Sequence, residues 1–392
     1  MTRLRVAFAG PHITFQDAGR LGHLRFGVPA SGPMDRKAFA IAQSVFGNPP
    51  EAAAIEISLG GLALDCIEGS VTFAVVGGGF IVQIGARRLG AWQVHTLHQG
   101  ERLVIRPGPW GCWTYLAFAG HLITPHWLGS SATHGQSGLG GGTLVSGQEV
   151  IVQDARTLPA AEGAIPCPIW ARPRRVIHAV LGPQDRFFSP ESLEDLTSQP
   201  FYLTNAYDRM GLRLRGPSLT PVGALSIPSE PIVRGSVQVA GDGLATVMLA
   251  DHGTTGGYPK IATVVSDDLD GFVQLRPNDA VRFKLVSPPQ AVAMARAAAS
   301  ASSRSPPMKR AATAALAARR LRSHSQGPGW VSSKSLMANT RLRSAEPNRP
   351  LPRLSSSRSR ASSSTTRMRA CEPGLRLERT GLTGFVEFMV IW

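Results

Sequence analysis

The chain has 392 residues, 43% of them hydrophobic, with 42 Gly, 30 Pro and a formal net charge of +15. That length allows two domains with proper cores, and short apolar runs between so many Gly and Pro predict strands and turns. The charge is uneven: residues 301–392 hold 17 Lys or Arg against 4 Glu and no Asp, residues 1–300 hold 24 basic against 22 acidic, so the body lacks a basic field for nucleic acid.

In chain order, "LRVAFAG" alternates as a strand. A Gly-rich loop follows, "FQDAGRLGHLRFGVPASGPMD", and then a helix from about Met34 to Phe46. Ser31 or Gly32 is placed to cap that helix, Pro33 suits its first turn, and Asp35 complements the positive helix end. Strands are expected in "AIEISLGGLALDC", "SVTFAVVGG", "FIVQIGARRL", "ERLVIRP", "CWTYLAFAG" and "QEVIVQD". The four Pro between Ala155 and Arg175 predict a linker. A second β-rich half starts at "VIHAVLGPQD", with a short helix near "SPESLEDL" capped by Ser189. "LRLRGPSL", "SVQVAGDG", "ATVMLADHG", "KIATVVS" and "AVRFKLV" read as strands, and "PPQAVAMARAAAS" as a closing helix. Faint echoes between the halves hint at two related β-barrels.

The tail is rich in Ser and Arg and cannot bury enough apolar surface to fold. Its composition favours translation in a wrong frame after about residue 300 over a disordered basic arm. Cys66, Cys112, Cys167 and Cys371 are widely spaced, which reads as reduced thiols in a cytoplasmic protein and not as a metal site. "MTRLRVAFAGP" is no signal peptide, and no run is long enough to span a membrane.

Two loops carry candidate chemistry. "DHGTTGGYPK", Asp251 to Lys260, lacks the Lys-Ser/Thr ending of a P-loop. It is either a wide turn or an anion cradle with Thr254, Thr255 and Lys260 as donors. The loop from Gln16 to Asp35 offers Gln16, Asp17, Arg20, Ser31 and Asp35 among four Gly. Arg20 either forks onto a carboxylate or phosphate or pairs with Asp17. Arg209, in "YDRMG", either reaches an anion or forms an exposed pair. Asp242-Gly243 is a hairpin tip. Glu56 lies between Ile55 and Ile57 and faces away from them. A half-buried carboxyl there would be a base of raised pKa, but a solvated strand face is the expectation.

Taken together, "FQDAGRLGHLRFGVPASGPMD", "VFGNPPEAAAIEISLGG", "YDRMGLRLRGP", "GSVQVAGDG" and "LADHGTTGGYPKIATVVSDDL" resemble, in order and spacing, the allophanate-hydrolase-subunit-2-like, or biotin-dependent carboxyltransferase, family. The resemblance covers about residues 3–290. It implies a mainly β chain of two tandem cyclophilin-like barrels with a few short helices, over 1–165 and 166–298. The disordered, low-complexity basic tail over 299–392 is read from composition, and it replaces the short helical end that the resemblance implies after residue 300. The resemblance also implies the C component of a 5-oxoprolinase, working with 5-oxoprolinase subunits A and B. Such a complex opens 5-oxo-L-proline to L-glutamate, coupled to ATP hydrolysis. On this basis Asp17, Arg20, Asp35, Asp251 and Lys260 are expected to be catalytic. Gln16, Ser31, Gly32, Arg209, Gln238, Thr254, Thr255, Gly256, Gly257 and Tyr258 would bind substrate or phosphate, and no metal is expected. The alternatives within the family are a carboxyltransferase piece of a biotin-dependent urea carboxylase-like enzyme, with biotin on a partner chain, and a non-catalytic regulator of a kinase inhibitor. This chain departs from the family's usual residues with Gly253 for Gln, Gln43 for Asn and Tyr207 for Ser.

Overall fold

The first half packs its strands as two sheets face to face. In spatial order, one sheet holds His121–Leu122, Glu149–Gln153, Thr2–Ala9, Leu62–Glu68, Arg102–Arg106, Ile81–Ile84 and Arg87–Gly90. The other holds Gly163–Ala164, Gln93–His98, Ser70–Val76, Thr114–Phe118, Ala54–Ile57 and Thr14–Gln16. Alternate residues of both, among them Leu4, Val6, Ile55, Leu64, Phe73, Leu103, Leu116 and Val150, share one core. The computed structural model describes residues 1–222 and 226–304. The tail from residue 305 on, with Cys371, lies outside the described residues.

The second half closes into a seven-stranded barrel of Val176–Leu181, Lys260–Val264, Ser236–Val239, Ala245–Met248, Gly211–Arg215, Phe201–Tyr207 and Ala280–Leu285. Its core includes Ile177, Leu203, Leu214, Val237, Val247, Ile261 and Phe283. The mainly β expectation therefore holds, with four helices beside the strands among the described residues. A two-stranded flap, Glu230–Pro231 with Thr255–Gly256, stands apart from the barrel sheet.

Helix α1 spans Arg36–Ser44 and starts later than its periodicity predicts. Its cap is Asp35, whose carboxylate accepts the Ala38 N–H at 2.9 Å. Ser31 and Gly32 are left-handed, at φ 53 and 82, and lie too far upstream to cap it. Arg234 donates to the carbonyls of Pro33 and Met34, which fixes them outside the helix. Helix α2, Pro190–Ser198, has the expected cap, with Ser189 Oγ accepting from Ser192 N at 3.2 Å. Helix α3, Ser266–Phe272, was not legible in the sequence, being only seven residues. Helix α4 runs Pro288–Arg304, past the end of the predicted closing helix.

The predicted linker is in large part packed structure. Gly163–Ala164 adds an edge strand beside Gln93–His98, and Ile165 and Ala171 are buried with α1 against the outer face of the six-stranded sheet. That sheet is thus covered on both faces, a fact that decides the environment of Glu56.

Candidate functional site

The two halves meet across a buried polar network centred on Arg209. The residue follows the strand Phe201–Tyr207 and is 2% exposed. Its Nε and Nη2 donate to the two oxygens of Asp251 at 2.9 and 3.0 Å. Nη2 also donates to Gly32 O at 2.7 Å, and Nη1 to Glu56 Oε1. Glu56 Oε2 accepts from Met34 N and from Tyr115 OH, each at 2.8 Å. The exposed pair considered for Arg209 and the solvated face expected for Glu56 are both overturned. Glu56 does point away from the core of its own half, but that outer face is where the second half docks. Burial pulls the Arg209 guanidinium down, and Asp251 and Glu56 more than offset it, so its pKa rises. Burial pushes the Asp251 carboxyl up, and Arg209 overrides this to hold it below the ordinary carboxylate value.

Asp35 joins the same interface. Its N–H donates to Tyr115 OH at 2.7 Å, and its second carboxylate oxygen accepts from Gln274 Nε2 at 2.8 Å. Gln274 Oε1 in turn accepts from the N–H groups of Cys112 and Trp113. Burial, with Asp270 nearby, raises the Asp35 carboxyl from 3.8 to about 7.

Asp17 and Arg20 hold the Gly-rich loop to the segment Trp127–Ala132. Asp17 accepts from Gly19 N, Ser130 Oγ and Ser131 N at 2.9, 2.7 and 2.6 Å. Arg20 donates to Trp127 O at 2.9 Å and Ala132 O at 2.7 Å, and its guanidinium stacks over the Trp127 ring at 4.4 Å. The two side chains serve the same segment without pairing with each other. Gln16 Nε2 donates to Thr133 O at 3.1 Å. Arg20 Nη1 and Gln16 Oε1 are buried without a partner among the described residues.

The loop Asp251–Lys260 lies partly in the flap. Thr255 and Gly256 form one flap strand, with Thr255 exposed and Thr254 and Tyr258 half-buried. Gly253, Gly256 and Gly257 all avoid positive φ, so the loop has no left-handed glycine with which to fold its N–H groups into a nest. Lys260 opens a strand, not a helix. The loop therefore lacks the geometry of a triphosphate cradle. Lys260 is 4% exposed, its N–H donates to Gln184 Oε1 at 3.2 Å, and its ammonium lies 3.4 Å from Glu230 Oε2.

The structure thus brings the candidates into three groups: Gly32, Arg209, Asp251 with the Ser31 hydroxyl beside it and, through Glu56 and Tyr115, Asp35; Gln16, Asp17 and Arg20; and Gln238, Lys260 and the flap residues Thr254 to Tyr258. Glu56, Tyr115, Gln184, Glu230 and Gln274 complete these groups and were not among the predicted site residues. A charged residue inside an apolar strand was the one signal available, at Glu56. Of the residues that depart from the family's usual ones, Gln43 holds Ala52 O and Asn48 at the end of α1, and Tyr207 OH bridges Trp113 and Val273 O between the halves.

Residues 26–285 match the family described as carboxyltransferase domain, subdomain A and B. The C component of 5-oxoprolinase from Haemophilus influenzae is 31% identical over 286 residues, covering 72% of this chain and 91% of that protein. The urea amidolyase of Saccharomyces cerevisiae is 27% identical over 311 residues, covering 72% of this chain but 16% of that protein. Among solved structures, TTHA0988 superposes with a TM-score of 0.66 at 30% identity, over 72% of this chain and 55% of that one. The described helices include none long and apolar enough to cross a membrane.

Proposed function

This chain belongs to the carboxyltransferase domain family, subdomain A and B, and from that membership we propose that it is a subunit of an ATP-dependent 5-oxoprolinase that opens 5-oxo-L-proline to L-glutamate with partner subunits. One observation carries this choice within the family: the match spans 91% of a 5-oxoprolinase C component, against 16% of the urea amidolyase. A 5-oxoproline ring is a cyclic amide, a poor electrophile, so its opening needs an activated carbonyl and a held carboxylate. The chain supplies buried donors for these groups in Lys260, Gln238 and Arg20. Asp17 and Asp251 are tied up by N–H, hydroxyl and guanidinium donors, so their contribution is to orient these loops. ATP is assigned to the assembled complex, because the Asp251–Lys260 loop does not fit a triphosphate.

The second reading is a carboxyl-transfer component of a biotin-dependent urea carboxylase. It is favoured by the superposition on the urea carboxylase of Kluyveromyces lactis, TM-score 0.66 at 25% identity, over 74% of this chain and 28% of that one. Biotin would then sit on a partner chain. The deciding assay is glutamate release from 5-oxo-L-proline and ATP, using the full chain with its cognate A and B partners. One control omits this chain and another adds avidin. Release that requires this chain and ignores avidin is expected. A stably assembled complex that releases none would overturn the reading.

A further inference from the structure

The barrel wall beneath the flap holds two donors that the chain itself leaves under-used. Gln238 and Lys260 are cross-strand neighbours on adjacent barrel strands. Val237 and Val239 point into the barrel core, so by alternation Gln238 faces the opposite way. The ladder shifts register between Val237 and Gln238, where Ile261 and Ala262 both line the core, and past this bulge Lys260 pairs with Gln238 and shares its face. That way lies the flap: a Cβ on Gly256 would stand 2.7 Å from Gln238 Nε2. Both residues are more than nine-tenths buried, at 8% and 4% exposure. Gln238 Nε2 has no hydrogen-bond partner among the described residues. The contact of Lys260 Nζ to Glu230 Oε2, at 3.4 Å, is long for an ammonium and a carboxylate. Leaving buried donors so poorly matched carries their desolvation without the return of a good bond.

Glu230 is the informative partner. It stands on the flap with its side chain 46% exposed, and the same oxygen accepts from Gln184 Nε2 at 2.6 Å. Its carboxylate already reaches water, unlike those of Glu56 or Asp251, so it can give way when a ligand carboxylate takes over Lys260 Nζ, at the cost of its bond from Gln184 Nε2. We propose that the face beneath the flap is a carboxylate-binding site, in which Lys260 Nζ and Gln238 Nε2 donate together to a ligand carboxylate, and that Glu230 holds the place of that carboxylate in the free chain. Exchange of one carboxylate for another keeps the charge of Lys260 balanced, whereas a neutral ligand would leave the ammonium buried without its counter-charge. The ligand's identity as 5-oxo-L-proline rests on the 5-oxoprolinase reading; the preference for a carboxylate rests on the geometry.

Calorimetric titration of the full chain with 5-oxo-L-proline, with L-glutamate and with the neutral carboxamide of 5-oxoproline tests this. The two acids are expected to bind and the carboxamide not. Glu230→Gln removes the competitor and is expected to tighten acid binding about fivefold or more. Lys260→Met is expected to weaken it about 10–100-fold. Should Lys260→Met fail to fold by its melting curve, Gln238→Glu serves instead: it sets a second carboxylate beside Lys260 and is expected to weaken the acids. Equal binding of acid and carboxamide, no binding of acids to wild type or Glu230→Gln, or affinity untouched by Lys260→Met or Gln238→Glu each overturns the site. Glutamate release by the complex with such a result would leave the 5-oxoprolinase reading standing and this site wrong. The expected binding pattern without any glutamate release would leave the site standing and that reading wrong.

Discussion

Arg209 has three acceptors on two halves of the molecule, Asp251, Glu56 and Gly32 O, and all are buried around it. A planar guanidinium suits this, because its five N–H groups fork in fixed directions. Its removal strands two carboxylates away from water. Arg209→Met is therefore expected to lose about 3–5 kcal/mol of stability, seen as a lower melting temperature and denaturant midpoint. Arg209→Lys should recover little, since a single ammonium cannot serve three separated acceptors. Adding Glu56→Gln to Arg209→Met should restore part of the loss by removing one stranded charge. A melting temperature within about a degree of wild type for Arg209→Met would show that the network does not hold the halves together.

The Gly-rich loop from Asp17 to Gly32 is an element whose neck depends on two glycines. Gly19 and Gly32 are left-handed at φ 101 and 82. A Cβ on Gly32 would come within 3.1 Å of Gly19 Cα and 3.2 Å of Ala18 O. The neck is tied by Arg20 N donating to Ala30 O at 2.6 Å. Gly32→Ala is expected to cost about 1–2 kcal/mol for the left-handed backbone, plus strain at the neck. Gly27→Ala, also left-handed but with open space around it, isolates the backbone contribution. Hydrogen exchange at the Arg20 amide should quicken in Gly32→Ala and stay slow in Gly27→Ala. Equal exchange in the two would mean the neck is not set by packing. At this scale the sequence was legible wherever a signal was local. The Ser189-Pro190 start of α2, the Asp242-Gly243 hairpin tip and the alternating strands are such cases. It was not legible where a second element covers a face. Alternation placed Glu56 away from its own core, yet said nothing of the barrel that docks there. The three candidate groups became visible only once Arg209, Asp35 and Lys260 met partners from distant segments, such as Glu56, Gln274 and Glu230.

At the scale of the whole molecule, the halves are joined by polar groups as much as by apolar ones, and these make stability depend on pH. Arg276 donates to Gly108 O and Gly111 O, and Gln274 links Asp35 to Cys112 and Trp113. Within this interface Asp35 and Asp251 act with opposite sign. The Asp251 pKa is lowered on folding, so its contribution is present above the ordinary carboxylate pKa and is lost as pH falls. The Asp35 pKa is raised from 3.8 to about 7. Between those values the native state holds a proton that the unfolded chain has released. Its contribution is therefore full below about pH 3.8 and is lost as pH rises through about 7. Asp35→Asn keeps an oxygen to cap α1 and removes the titration. The stability of wild type minus that of Asp35→Asn, from denaturant melts at several pH values, is expected to decline between about pH 4 and pH 8. The mismatch of an Asn amide facing Gln274 Nε2 shifts that difference by a constant and leaves its slope intact. A difference that stays flat across the range would mean that Asp35 is ionised in the folded interface at all these pH values, and that Gln274 and the α1 cap hold it as a carboxylate.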